Sequence, residues 1–221
     1  MKNALILLAG GTGKRLSIEK NTISKQFIKI GNYNFIEYFL RNLDEKIFDI
    51  IHIVVKKTLQ KKYLSSLKKD FSKHQIKFIE AGSTRQESSK KGIYSLQRHY
   101  PKNVLIHDSA RPLASNKLIK RLLKSLDKYQ SCAPFVTNND FIKYKSNEYK
   151  IEHNKIMNIQ TPQAFRFKSI FKAHCFSKTY NHKDDTSLIE RIGVKTKFIK
   201  GEKSNFKITF KEDLYLFQKL K

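Results

Sequence analysis

The strongest constraint on the fold is a set of short, unbroken apolar runs at residues 3–9, 49–55 and 103–107. Runs of this length without polar alternation describe strands covered on both faces. Between them lie stretches of helical spacing. One spans 34–43, with Phe35, Ile36, Phe39 and Leu40 on one face, and another, very basic, spans 59–73. Two more span 84–99, opened by Ser83 or Thr84, and 116–128. A short strand falls at 76–80. This alternation predicts an α/β fold: a mostly parallel sheet flanked by helices. From about 135 to 156 the chain turns polar, with short alternating stretches around Lys145-Ser146-Asn147-Glu148, which predicts a β-hairpin leaving the body. A helix near 167–177, a strand near 195–199 and a helix from about 211 follow. No repeat or linker divides the chain, so residues 1–221 read as a single domain.

Charge is the next signal. Lys plus Arg number 45 against 19 Asp plus Glu, a net +26. Two readings stand: a nucleic-acid-binding module, or a lysine-rich surface without one polyanionic target. The lysines are spread over the whole length, which favours the second, and a positive field still draws phosphorylated small molecules. Two cysteines, Cys132 and Cys175, are too few for a disulfide framework and point to a reducing cytoplasm. No apolar run approaches a membrane span. The first residues read as a strand and its loop, not as a signal peptide. The seven histidines show no metal-ligand spacing.

Six segments carry chemistry, and each also has a plain structural reading. Ala9-Gly10-Gly11-Thr12-Gly13-Lys14-Arg15 follows the first strand. Its glycines allow backbone N–H groups to approach phosphates, and Arg15 and Lys25 supply charge; otherwise it is a strand-to-helix turn. It is neither a Walker A loop nor a dinucleotide fingerprint. Gly82-Ser83-Thr84-Arg85-Gln86-Glu87-Ser88 presents hydroxyls and an arginine, or simply caps a helix. His107-Asp108-Ser109-Ala110-Arg111-Pro112 ends a strand, where open α/β sheets bind ligands, or holds a structural Asp–Arg pair. Gln160-Thr161-Pro162-Gln163, Asp184-Asp185-Thr186-Ser187 and Gly201 to Thr209 read alone as a turn, a helix cap and a hairpin loop.

In this order and spacing the six segments resemble the cytidylyltransferases of polyol phosphates, the group that includes 2-C-methyl-D-erythritol 4-phosphate and ribitol-5-phosphate cytidylyltransferases. The resemblance runs from the first strand to the Asn-x-Lys-Ile-Thr segment at 205–209. It implies a Rossmann-like fold whose hairpin arm clasps a second subunit in a homodimer. It implies transfer of CMP from CTP to a polyol phosphate, methylerythritol phosphate first, with Mg²⁺ and release of pyrophosphate. Ala9, Gly10, Gly11 and Gly13 match the loop around CTP, and Arg15 and Lys25 match the cations acting on its phosphates. Gly82, Arg85 and Ser88 match the segment reading cytosine and ribose. Asp108 matches an aspartate near both substrates and the metal. Arg111, His153, Thr161 and Lys207 match acceptor-site positions, with Lys207 also catalytic.

The chain departs from the family pattern in four places. Ser24 stands before Lys25 where the family has proline, and Phe141 follows Asp140 where it has threonine. His153 stands where it has arginine, with Lys143 and Lys155 as neighbouring substitutes. The loop reads Ala-Gly-Gly where Ala-Ala-Gly is commoner in methylerythritol enzymes. These concern mainly the acceptor and keep ribitol phosphate, or another sugar or polyol phosphate, as the alternative. A fused or associated partner enzyme stays open.

Overall fold

A computed structural model of the chain describes residues 2–11, 27–29, 31–58, 67, 71, 75–138, 156–177, 182 and 184–220. Gly13, Arg15, Lys25, Asp140, Phe141, Lys143, His153, Lys155, most of the basic stretch 59–73 and most of the predicted arm lie outside the described residues.

The predicted parallel sheet is present. Strands β1 (Asn3–Leu8), β2 (Ile50–Val55), β3 (Gln75–Glu80) and β4 (Asn103–Asp108) pair in parallel in the order β3-β2-β1-β4. β1 and β2 are nearly pure apolar runs because both faces are covered, whereas β3, at the sheet edge, alternates buried Ile76 and Phe78 with exposed Lys77. In β1, Leu5 and Leu7 enter one cluster, and Ala4, Ile6 and Leu8 the other. The period of two side chains thus feeds two cores at once. Helices α1 (Phe35–Asn42) and α3 (Asn116–Ser125) cover the first face, through Phe39, Leu40, Leu118 and Leu122. Helices α2 (Arg85–Ser95), α4 (Phe167–Phe176) and α5 (Asp185–Glu190) cover the second, through Ile93, Ile170, Ala173 and Leu188.

Local chemistry sets the helix starts. Asn34 caps α1 and Glu37 returns the bond to the Asn34 N–H, a full capping box. Thr84 caps α2 and Ser115 caps α3. Helix α2 ends at Ser95, four residues before the predicted 99, and α3 at Ser125 rather than 128. Gly92 lets α2 lie close on the sheet, since a Cβ there would fall 2.7 Å from Ile6 Cγ2.

Beyond β4 the sheet becomes mixed. β7 (Gln163–Arg166) runs antiparallel to β4. β5 (Ser131–Thr137) then pairs antiparallel with β7 and with β6 (Met157–Ile159), and parallel with β8 (Lys197–Lys200). The antiparallel pairing of Phe135–Thr137 with β6 falls at the base of the predicted hairpin, whereas the first half of β5 and all of β7 lie outside the strands that the sequence predicts. β5 carries Pro134, which cannot donate to a ladder, and the other two are only three and four residues long. The C-terminal helix α6 (Lys211–Leu220) docks Phe217 edge-on against Phe35 at 5.6 Å. Phe35, Phe217 and Ile208 form a small third cluster, which fixes the segment just before α6 against α1. No helix among the described residues is long and apolar enough to cross a membrane.

Candidate active site

The carboxyl ends of β1, β3 and β4 converge. Ala9 N–H donates to the Val54 carbonyl, Ala81 N–H to that of Val55, and Ser109 N–H to that of Leu8. These bonds extend the sheet by one residue at each strand end and bring three of the predicted segments together. Gly10 is where the first loop passes the end of β3: a Cβ there would lie 2.6 Å from Ala81 Cβ. Ser88 Oγ accepts from Gly82 N–H at 3.0 Å, so the second segment is closed by its own helix.

Asp108 is the electrostatic centre. Its Oδ1 faces Arg85 Nε at 3.3 Å and its Oδ2 faces Lys207 Nζ at 2.7 Å. Burial alone would raise this carboxyl, but Arg85 first, then Lys207 and Arg111, hold it well below the usual carboxylate range. Arg85 in turn gives an NH1 bond to Asp185 Oδ2 at 2.8 Å. Burial works against its charge, but Asp185 and Asp108 outweigh that and raise it further. Asp185 is buried and also accepts from Ser89 Oγ at 2.5 Å. Its carboxyl is lowered to about 2: desolvation opposes, and Arg85 and His174 prevail.

Beneath this cluster Thr161 sets the backbone. Its Oγ1 accepts the Asp108 N–H at 3.0 Å and lies 3.0 Å from His107 Nδ1. His107 Nε2 lies 3.0 Å from the Arg111 carbonyl, which only accepts. Nε2 therefore carries the proton, Nδ1 is bare, and the Thr161 hydroxyl donates to it. Burial pushes the His107 imidazole down to about 4, so this neutral tautomer holds at pH 7.

On the other side of Asp108 lies a cavity of ≈ 360 Å³ lined by Arg111, Ile159, Gln160, Lys203, Phe206 and Lys207 among others. Arg111 NH1 donates to the Asn205 carbonyl at 2.7 Å, and burial lowers its guanidinium from the ordinary value. Asn205 Nδ2 donates to the Thr161 carbonyl at 2.8 Å, and Ile208 N–H to that of Ala110. The 201–208 segment is thus stitched to both the Asp108 and Thr161 stretches. The structure brings Ala9, Gly10, Gly82, Arg85, Ser88, Asp108, Arg111 and Lys207 together, with Thr161 buried beneath them. Asp185, Gln160 and Asn205 lie in segments that the sequence marks without giving them a part; Asp185 stands 100 residues from the arginine it holds. Among the described residues no group of three or more His, Cys, Asp or Glu could hold a metal ion.

Comparison with known proteins puts the chain among the nucleotidyltransferases. The family model described as IspD, 2-C-methyl-D-erythritol 4-phosphate cytidylyltransferase, matches residues 3–220. The chain belongs to that family. It is 34% identical over 220 residues to the 2-C-methyl-D-erythritol 4-phosphate cytidylyltransferase of Clostridium tetani, covering 96% of this chain and 87% of that protein. It is also 34% identical over 222 residues to the bifunctional enzyme IspD/IspF of Wolbachia pipientis, covering 96% of this chain but only 54% of that longer protein. The fold matches the crystal structure of 4-diphosphocytidyl-2C-methyl-D-erythritol synthase from Anaerococcus prevotii with a TM-score of 0.83, at 25% identity, over 99% of this chain and 97% of that one. The match favours the methylerythritol side of the resemblance over the ribitol side, despite the departures at Phe141 and His153.

Two outcomes follow from the charge network. Asp185→Asn leaves Arg85 with Asp108 alone in a half-buried setting, and the expected loss is about 3 kcal/mol in chemical denaturation. A loss under about 1 kcal/mol would show that Asp185 does not anchor the arginine. The pH dependence has two windows. His52 and His107 are both pushed down to about 4 by burial. The unfolded chain therefore takes up their protons first, and stability falls as pH drops from about 6.5 towards 4. The depressed carboxyls of Asp108 and Asp185 hold their contribution through that range and lose it only below the ordinary carboxylate pKa. Thermal midpoints measured from pH 7 to pH 3 check this; a flat profile between 6.5 and 4 would contradict the histidine assignment.

Proposed function

We propose that the chain transfers CMP from CTP to 2-C-methyl-D-erythritol 4-phosphate, giving a CDP-polyol and pyrophosphate for isoprenoid precursor synthesis. The observation that carries this reading is the arrangement at Asp108. An ionised carboxylate sits between Arg85 on the glycine-turn side and Lys207 on the side of a cation-lined cavity. In this reading Ala9, Gly10, Gly11 and Gly13 surround the nucleotide phosphates, with Arg15 and Lys25 neutralising them. Gly82, Arg85 and Ser88 take the cytidine, and Arg111, His153 and Lys207 take the acceptor. Thr161, which the resemblance counts among the acceptor positions, has its hydroxyl engaged by the Asp108 N–H and His107 and in this reading supports the acceptor site from below.

The chemistry needs no general base, because an acceptor phosphate is already ionised near neutral pH. Its oxygen forms the new bond to the α-phosphorus of CTP. The bond from that phosphorus to the bridging oxygen of the β-phosphate breaks, and pyrophosphate leaves with the electron pair. The protein's part is positioning and neutralisation of developing charge. Arg15, Lys25 and Lys207 supply it from the chain.

A divalent cation, Mg²⁺ in the family reading, fits a site where Asp108 faces the cavity side, since Mg²⁺ is commonly held by one or two carboxylates plus substrate phosphates. Asp108 is fully ionised there and would be its protein ligand, in exchange for a cation it now faces. When bound, the ion screens the phosphate charges and polarises the transferring group.

The same reading makes residues 1–221 one nucleotidyltransferase domain, cytoplasmic, with free thiols at Cys132 and Cys175, and a homodimer joined through the segment near 135–156. Analytical ultracentrifugation is expected to give a dimer that becomes monomeric when residues 139–155 are replaced by a short turn. A monomer in the unaltered chain would overturn the clasped arrangement.

The principal test is pyrophosphate release from CTP and Mg²⁺ with methylerythritol phosphate, ribitol 5-phosphate and other sugar phosphates as acceptors. Turnover is expected with the first, and Lys207→Ala is expected to lower kcat/KM by about 10²–10³ with the fold intact. Folded protein that is silent with methylerythritol phosphate would refute the acceptor assignment.

A further inference from the structure

Among the described residues three cations line the cavity beside Asp108, and they differ in what already engages them. Lys207 Nζ is held by Asp108 at 2.7 Å, and Arg111 NH1 by the Asn205 carbonyl at 2.7 Å. Lys203 is exposed and has no ion pair among the described residues. We infer that Lys203 is a phosphate-binding residue of the acceptor pocket and sets the enzyme's affinity for its phosphorylated acceptor. This rests on the function proposed above and assigns a part to a residue to which the resemblance gives none.

The physical argument is one of competing partners. A phosphate monoester near neutral pH carries close to two negative charges and needs charged donors. Drawing Lys207 away strips a buried carboxylate of one of its two ion-pair partners, which has a cost. Drawing Arg111 away gives up its bond to Asn205 in a largely buried setting. Lys203 gives a full charge without either loss. An ammonium on a flexible stem, with three rotatable donors, also suits a phosphate that must move towards the α-phosphorus as it reacts.

The backbone on either side of Lys203 is held by hydrogen bonds. Gln160 Nε2 donates to the Glu202 carbonyl at 2.8 Å and to that of Asn205 at 3.2 Å, and Gln160 Oε1 accepts the Glu202 N–H at 3.2 Å. Ser115 Oγ donates to the Glu202 carboxylate at 2.7 Å. The residues flanking Lys203 are thereby clamped to the β6–β7 connection and to the start of α3. The lysine is delivered to the rim of the cavity on a rigid turn, which limits the ordering left to be done on binding.

The experiment is steady-state kinetics with CTP and methylerythritol phosphate varied separately, for the wild type, Lys203→Ala, Lys203→Arg and Lys117→Ala. Lys117 is an exposed lysine on α3 that lines a different surface and controls for the general positive field. Lys203→Ala is expected to raise KM for the acceptor about tenfold, as for loss of one charge-assisted hydrogen bond at an open site. The KM for CTP and kcat stay within about twofold, Lys203→Arg recovers most of the affinity, and Lys117→Ala matches the wild type. Acceptor KM within twofold of wild type in Lys203→Ala, or an equal rise in the KM for CTP, would overturn the inference and leave the proposed function standing. A wild type that does not turn over would instead remove the proposed function, and this inference with it.

Discussion

The site depends on keeping one carboxylate ionised among cations. Arg85, Arg111 and Lys207 come together at the ends of three separate stretches of chain, in a protein with a net charge of +26. Without an anion between them they would repel, and the partial burial of the two arginines would be unfavourable. Asp108 provides that anion, and Asp185 provides a second one behind Arg85. The carboxylates organise the cations for a substrate that brings still more negative charge. When phosphates arrive, Arg85 and Lys207 already stand on opposite sides of one point, and the reorganisation required is small.

The polar layer underneath is equally specific. A neutral His107, a Thr161 hydroxyl that both donates and accepts, and the Asn205 amide tie β4, the β6–β7 connection and the segment before α6 into one unit. Each of these groups is buried, and the bonds among them meet donors with acceptors in sequence. Replacing any one leaves an unsatisfied partner in an apolar surrounding, which is costlier than the bond itself is worth. The third hydrophobic cluster completes the arrangement. Phe217 of α6 packs on Phe35 of α1, and Ile208, in the same cluster, holds the neighbouring Lys207 beside Asp108. Helix packing at the chain's end thus bears directly on the geometry of a charged site.

Much of the fold was legible because its signals are local. β1, β2 and β4 are apolar on both faces, so their composition alone marks buried parallel strands, and Asn34, Thr84 and Ser115 mark helix starts through their own side chains. The second half was less so. β5, with Pro134 in it, and the short β6 and β7 owe their state to pairing with distant partners: Cys132 with Lys197 and with Ala164, Phe135 with Ile159. No window of sequence contains that information. The Asp184-Asp185-Thr186-Ser187 segment shows the same limit in a single motif. Asp184 does cap α5 by accepting the Ser187 N–H, as its spacing suggests. Asp185, the next residue, turns inward to Arg85, which no spacing announces.

The sequence by itself determined the alternating strands and helices, the glycine turn after β1, and which residue types stand at the strand ends, because these follow from side-chain chemistry acting over a few positions. Resemblance along the chain then identified the family. Only the tertiary structure decided which charges meet. It set Asp108 between Arg85 and Lys207, gave Arg85 a second partner in Asp185, fixed the His107 tautomer through Thr161 and the Arg111 carbonyl, and left Lys203 on a clamped turn with no ion pair among the described residues. The reason is that a charge's state depends on what lies within a few ångströms and on how far water is excluded. Both are properties of the packed molecule, and in this chain the partners are separated by up to 100 residues.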